Sequence, residues 1–169
     1  MDVREAIYKR RSVRSFLDKD IDDQIITSLL EDAMAAPSAC NKQPWEFYVV
    51  KNKEKQNLIK KKIMFSNFNS PLLIVVCGNK KKSLTKNDND YWIQDASAAI
   101  ENILLSALSF GLGTCWCGLY PIERRSEKVR NILDLPENII PLGIVHIGYP
   151  DKVVQGRTQY NEEKVHIVE

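Results

Sequence analysis

Arg10, Arg11, Ser12 and Arg14 bring three guanidinium groups and a hydroxyl into five consecutive residues. Guanidinium forks match phosphate oxygens bidentately, and a serine hydroxyl fills a remaining acceptor. A basic run is more often a solvated face, so the cluster alone leaves an anion site and an ordinary surface both open. A second group lies in Ala36-Pro-Ser-Ala-Cys-Asn-Lys-Gln-Pro-Trp45, where two prolines, Pro37 and Pro44, restrain Ser38, Asn41 and Gln43. Hydroxyl and amide groups suit the donor and acceptor edge of a planar heterocycle, and they equally suit a helix-to-strand turn. A third segment, Gly111 to Pro121, packs glycines around Thr114, Cys115, Trp116, Cys117 and Gly118.

Other chemistries are excluded by what is missing at the required spacing. Gly111-x-Gly113 begins a dinucleotide fingerprint, but Trp116 occupies the third glycine position and a helix precedes it. Gly113 and Gly118 have P-loop spacing, but Leu119 and Tyr120 stand where Lys and Ser/Thr must reach the phosphates. Cys115 and Cys117 are one residue apart, too close for a zinc knuckle, and no histidine completes a set, so no metal site is expected. His146, in Gly-Ile-Val-His-Ile-Gly, reads as a hydrogen-bonded strand histidine rather than a base. No Gly-x-Ser-x-Gly is present, and no catalytic side chain is assigned.

The elements that must position these residues follow from periodicity. Asp2 caps a helix carrying Val3, Ala6 and Ile7, which the basic cluster ends. Ile25, Ile26, Leu29, Leu30, Ala33 and Met34 repeat at helical spacing and stop before Pro37, at about Ala36. Trp45 to Lys51 reads as a strand, Leu58, Ile59 and Ile63 mark a basic helix, and Leu72 to Cys77 reads as a strand buried on both faces. Asn79 to Asp90 is polar and reads as unstructured. A long amphipathic helix covers about Tyr91 to Phe110, with Gly111 at its C-terminus. The glycine-rich stretch to Pro121 reads as loop or short strand, Ile122 to Leu133 as a helix, and Pro141 to Tyr149 as a strand. The polar last twenty residues finish on Val165-His166-Ile167-Val168, a candidate edge strand for this chain or a neighbour.

Composition bounds the class. The 169 residues, 44% hydrophobic and 27% charged, suit a single domain over 1–169 with its own core. Balanced charge, 24 Lys+Arg against 22 Asp+Glu, argues against nucleic acid. No apolar run is long enough to span a bilayer, and the first residues carry acid and base in a helical pattern unlike a secretory signal. Four cysteines without a Cys-x-x-Cys fit reduced thiols in a cytoplasmic setting.

In combination the segments say more. Arg-Arg-Ser-Val-Arg, Ala-Pro-Ser-Ala-Cys-Asn-Lys-Gln-Pro-Trp, Gly-Leu-Gly-Thr-Cys-Trp-Cys-Gly and Gly-Ile-Val-His-Ile-Gly-Tyr-Pro occur in that order from about residue 3 to 166. This order resembles the nitroreductase family of FMN-dependent oxidoreductases. The resemblance implies an α+β fold, a mostly antiparallel sheet sandwiched by helices, assembled as an intertwined homodimer with FMN at the interface. It implies that Arg10, Ser12 and Arg14 hold the FMN phosphate and ribityl chain, with Arg11 contributing charge or backbone. Pro37, Ser38, Asn41 and Gln43 approach the ring from the partner subunit. Thr114, Cys115, Trp116, Cys117 and Gly118 pass over the ring, with the N–H of Cys117 or Gly118 at flavin N5. A donor there stabilises the ring as hydride arrives.

The implied activity is hydride transfer from NAD(P)H through FMN to nitroaromatic, quinone or similar acceptors by a ping-pong mechanism. A flavin-binding reservoir without NAD(P)H turnover is the alternative. Two departures stand out. The family's paired basic residues near the C-terminus are here Arg157-Thr158-Gln159, so only Arg157 is charged. The chain also lacks the helical insertions of longer members, which implies a more open pocket. Trp92 and Trp116 are candidate pocket aromatics, with Trp92 reading as core.

Overall fold

The computed structural model describes residues 1–84 and 90–169, and the 85–89 part of the stretch expected to be unstructured lies outside them. Helices α1 (Val3–Lys9), α2 (Asp23–Met34) and α3 (Lys53–Lys62) each begin at a side-chain cap. Asp2, Asp22 and Asn52 accept from the backbone N–H groups of Arg4, Gln24 and Lys55, satisfying donors that a helix start leaves open. Helix α4 (Tyr91–Ser109) runs to Phe110, and Gly111 takes the left-handed φ of 68° that ends it at little cost. Helix α5 is Glu123–Leu133.

Four strands, β1 (Trp45–Val50), β2 (Leu72–Asn79), β3 (Gly113–Gly118) and β4 (Ile139–Gly148), form one antiparallel sheet in the order β1-β2-β4-β3. The continuous apolar run of β2 is explained by its two buried faces. Leu72, Ile74 and Val76 pack with α2 and α4 residues such as Leu29, Ile100 and Ile103. Leu73, Val75 and Cys77 pack with Ile59 and Ile63 of the α3 segment and Val129 of α5. The sheet therefore has helices on both sides, and the expected α+β sandwich is present.

The boundaries differ from expectation in instructive places. Strands β2 and β4 run two residues further at Gly78 and Asn79 and start two earlier at Ile139 and Ile140, because these residues pair with one another. The stretch read as loop or short strand is a full six-residue strand, inserted between the two helices α4 and α5. A bulge opposite Val76 and Cys77 frees Leu142, whose carbonyl accepts from Leu119 and Tyr120 and anchors the exit from β3. The tail Val165–Val168 forms no strand with the described part of this chain, and Ile167 and Val168 are 84% and 94% exposed.

Candidate functional site

The basic segment is positioned by the sheet. Ser12 forms a parallel bridge with Thr114, and the Val13 N–H donates to the Thr114 carbonyl at 2.8 Å. The Arg10–Arg14 stretch therefore lies along the outer edge of β3, two of the expected clusters meeting directly. The tail closes the other side: the Arg11 guanidinium donates to the Gln155 carbonyl at 2.8 Å, and the Arg157 N–H donates to the Tyr8 carbonyl at 3.0 Å. Arg10, Arg11, Ser12, Arg14, Arg157 and Gln159 share one small concavity. Among the described residues, Arg10 alone of these arginines meets a carboxylate, Glu101 at 3.5 Å. Four guanidinium groups against one carboxylate leave a local excess of positive charge, the electrostatic condition of an anion site. It fits a phosphate.

Backbone alternation on β3 decides which of its groups are free. In an antiparallel strand a residue's N–H and C=O point to the same side, and successive residues alternate. Thr114 faces outward to Val13, so Cys115 and Cys117 face β4, and Trp116 and Gly118 turn their main-chain groups away from the sheet. No described residue bonds the N–H of Trp116 or Gly118. A side chain added at Gly118 would touch nothing within 4 Å, so a flat group has room to approach. Thr114 itself is buried and engaged, and Cys115 is also buried.

Beside this edge is a cavity of about 420 Å³, bounded by Cys115–Gly118, by Met64, Phe65 and Phe68, and by Arg14 and Arg125. The loop carrying the aromatic residues is pinned to the sheet by His146, which lies on the same face of β4 as Cys115 and Cys117 do on β3. Its Nε2 is 2.7 Å from Ser66 Oγ and its Nδ1 2.8 Å from Ser70 Oγ. Phe68 meets the imidazole edge to face at 4.9 Å, and Lys60 Nζ donates to the Ser70 carbonyl at 2.8 Å. His146 is thus the structural histidine expected from its strand.

Burial, helped by the Lys60 charge, holds the His146 pKa down to about 3, from an ordinary 6.5. The folded protein then keeps it neutral while the unfolded chain protonates below about pH 6.5, so its contribution to stability is complete above that pH. It is lost as pH falls towards about 3, at up to about 1.4 kcal/mol per pH unit. Urea midpoints at pH 7.0 and 4.5 are expected to fall more steeply for the wild type than for His146→Asn; equal slopes contradict this.

The thiol pair also faces this loop. Cys117 has one proton for two acceptors, the Phe65 carbonyl at 3.4 Å and the Cys115 sulfur. The bond from Cys117 draws the Cys115 thiol down to about 7, aided by Arg14 and Ser12 against the effect of burial, and pushes Cys117 up. Both remain free thiols, and no group of metal-ligating residues occurs among the described residues.

The Pro37–Gln43 loop stands apart. It precedes β1, at the opposite edge of the sheet from β3, and no hydrogen bond or ion pair joins it to the arginine cluster among the described residues. Cys40, Asn41 and Gln43 hold φ of 50°, 52° and 48°, a conformation that costs non-glycine residues energy and recurs where geometry serves function. The Ala39 N–H bonds Asp95 at 2.9 Å, the Gln43 N–H bonds Ser38 Oγ at 3.0 Å and Gln43 Nε2 bonds Asn41 Oδ1 at 2.8 Å. Pro37, Asn41 and Gln43 are exposed and Ser38 half-buried. Trp92 is fully buried, and Trp116 is partly exposed at the cavity. The sequence does not single out Met64, Phe65 and Phe68, which lie between elements and carry no periodic signal, or Arg125, which is one of several charges on α5.

The sequence model of the Nitroreductase family matches this chain over residues 7–69 and 59–149. An Archaeoglobus fulgidus protein with the assigned name NADH dehydrogenase/NAD(P)H nitroreductase is 41% identical over 167 residues, 96% of this chain and 95% of that protein. A crystal structure from Parabacteroides distasonis, under the same assigned name, superimposes with a TM-score of 0.92 at 35% identity, over 98% of this chain and 96% of that one. An FMN-dependent nitroreductase from Clostridium difficile gives 0.86 at 31% identity, over 97% and 98% of the two chains. Ser12 beside Thr114, the open β3 edge and these likenesses agree: the chain belongs to the nitroreductase family.

Proposed function

We propose that this protein is an FMN-dependent NAD(P)H oxidoreductase acting on nitroaromatic, quinone or similar acceptors. The carrying observation is Arg14, which lines both the guanidinium concavity and the larger cavity beside β3. A phosphate site that shares Arg14 with a chamber along an open strand edge suits a phosphorylated planar cofactor. The names of the Archaeoglobus relative and the Clostridium structure support NAD(P)H and FMN respectively.

When bound, FMN supplies the redox chemistry, accepting hydride from NAD(P)H and passing it to the acceptor. Arg10, Arg11, Ser12 and Arg157 would hold its phosphate, with Gln159 as a neutral donor beside them. Arg14 would reach from the phosphate side towards the ring. Of the two N–H groups expected at N5, that of Cys117 faces β4, so the role falls to Gly118. Thr114 acts from behind, by holding Ser12 and Val13 in line.

The same reading makes the protein a homodimer over residues 1–169, with Pro37, Ser38, Asn41 and Gln43 supplied to each ring by the partner. Helix α1 buries no residue of its own, and Val3 and Ile7 are 72% and 52% exposed, as is fitting for a face that a second copy covers. The Val165–Val168 tail would find its strand partner there. Light scattering should give twice the 19.4 kDa chain mass; a monomer that keeps full activity contradicts the shared site. Among the described residues no helix is long and apolar enough to cross a membrane; the four free cysteines fit a cytoplasmic setting.

Steady-state oxidation of NADH and NADPH with menadione or nitrofurazone tests the activity. FMN-dependent turnover with parallel double-reciprocal lines supports ping-pong exchange of donor and acceptor in one cavity. Failure to oxidise either nucleotide, with the flavin still reducible by dithionite, would leave only flavin binding.

A further inference from the structure

The cavity beside β3 holds two guanidinium groups, Arg14 and Arg125, and among the described residues no carboxylate lines it. Arg14 is committed to FMN in the function proposed above, on which this inference rests. Arg125 is left. It sits in the first turns of α5, half-buried, and its guanidinium has no hydrogen-bond or ion-pair partner among the described residues. Its helix is fixed to the sheet at two points: the adjacent Ser126 donates to the Pro141 carbonyl at 2.8 Å, and Val129 is fully buried against the sheet. An unpaired guanidinium on a fixed element, in a concave site, is preorganised for an anionic group.

Another part of the lining is apolar. Phe65 is 77% and Met64 60% exposed at the cavity, a costly way to leave large side chains unless a ligand covers them. Phe65 takes a left-handed φ of 65° immediately before Ser66, and Phe68 lies between Ser66 and Ser70, both of which His146 holds, so this wall is set before any ligand arrives. We infer that the acceptor is an aromatic anion, its ring against Phe65 and Phe68 and its carboxylate or similar group on Arg125. Arg125 is a specificity-determining residue, absent from the set that holds FMN.

The test compares 4-nitrobenzoate with 4-nitrobenzyl alcohol, near-isosteres that differ chiefly in charge, using FMN-loaded enzyme. The wild type is expected to favour the carboxylate by about tenfold or more in kcat/KM, the scale of one hydrogen bond to a charged group. The preference should reside in KM and shrink as salt is raised. In Arg125→Gln the ratio collapses to within about twofold of one, and Arg125→Lys recovers part of it. Calorimetric binding of unreactive benzoate against benzyl alcohol should show the same ratio without turnover.

A wild-type ratio near one, or a preference that survives Arg125→Gln, overturns the inference while FMN content and NAD(P)H-driven bleaching leave the oxidoreductase function intact. Absence of FMN binding removes both together.

Discussion

Ser12→Asp is expected to weaken FMN binding by about 100-fold or more. The substitution replaces the hydroxyl proposed to bind the phosphate, a bond to a charged group worth about 1.5–3 kcal/mol, with a carboxylate that would repel it. It also neutralises the arginines around the concavity, where Arg11, Arg14 and Arg157 meet no carboxylate among the described residues. The fold should tolerate the change, since Ser12 is exposed and its link to Thr114 is through the backbone. Thermal stability of the FMN-free protein is therefore expected to hold or rise as repulsion is relieved. Ser12→Ala, which deletes the bond without adding charge, should lose only about tenfold. Fluorescence titration of FMN reads all three proteins. An affinity for Ser12→Asp within about threefold of the wild type would move the phosphate elsewhere.

Trp92→Ala is expected to cost about 3–5 kcal/mol of stability, the range for emptying a large aromatic site. Trp92 is fully buried. Its indole fills the space above Gly78 of β2, where even a methyl group would come within 2.1 Å of the ring. The indole N–H bonds Asp90 at 2.9 Å, the ring meets Tyr120 edge to face at 5.0 Å, and Tyr120 returns to Asp90 at 3.2 Å. Removing the indole therefore opens a void between α4 and the sheet and leaves Asp90 short of a donor. At about 2–4 °C per kcal/mol for a chain of this size, the melting temperature should fall by roughly 6–20 °C. Calorimetry measures it, and a fall under about 3 °C would show that the helix does not depend on this side chain.

These two residues illustrate what a sequence can and cannot say. Trp92 reads as core because it sits on the periodic face of a long helix, a local signal that packing confirms. The unbroken apolar run of β2 likewise announces a strand covered on both faces. Strand β3 carries no such pattern: Gly-Thr-Cys-Trp-Cys-Gly lacks apolar alternation, and its strand state comes from pairing with β4 along one edge and Ser12 along part of the other. The meeting of the arginine cluster with that edge is a tertiary fact, legible through family resemblance and not through spacing.

The aromatic loop at Phe65 and Phe68 is the clearest gap. Its order depends on His146, eighty positions from Ser66, and nothing in a short polar segment announces so distant a partner. Arg125 is one of many charged residues on a basic helix, and only the cavity separates it from Arg124 or Lys128. The strained loop around Asn41 was legible as a rigid turn from its prolines, while its distance from the arginines within one chain could be learned only from strand order.

The most direct test of the central claim is an anaerobic absorbance titration of the purified protein after incubation with FMN, first with NADH and then with NADPH. The account predicts a flavin spectrum near one FMN per chain that bleaches on addition of at least one nucleotide. A colourless protein that takes up no FMN would contradict it, and would return Arg10 to Arg14 to an ordinary solvated surface.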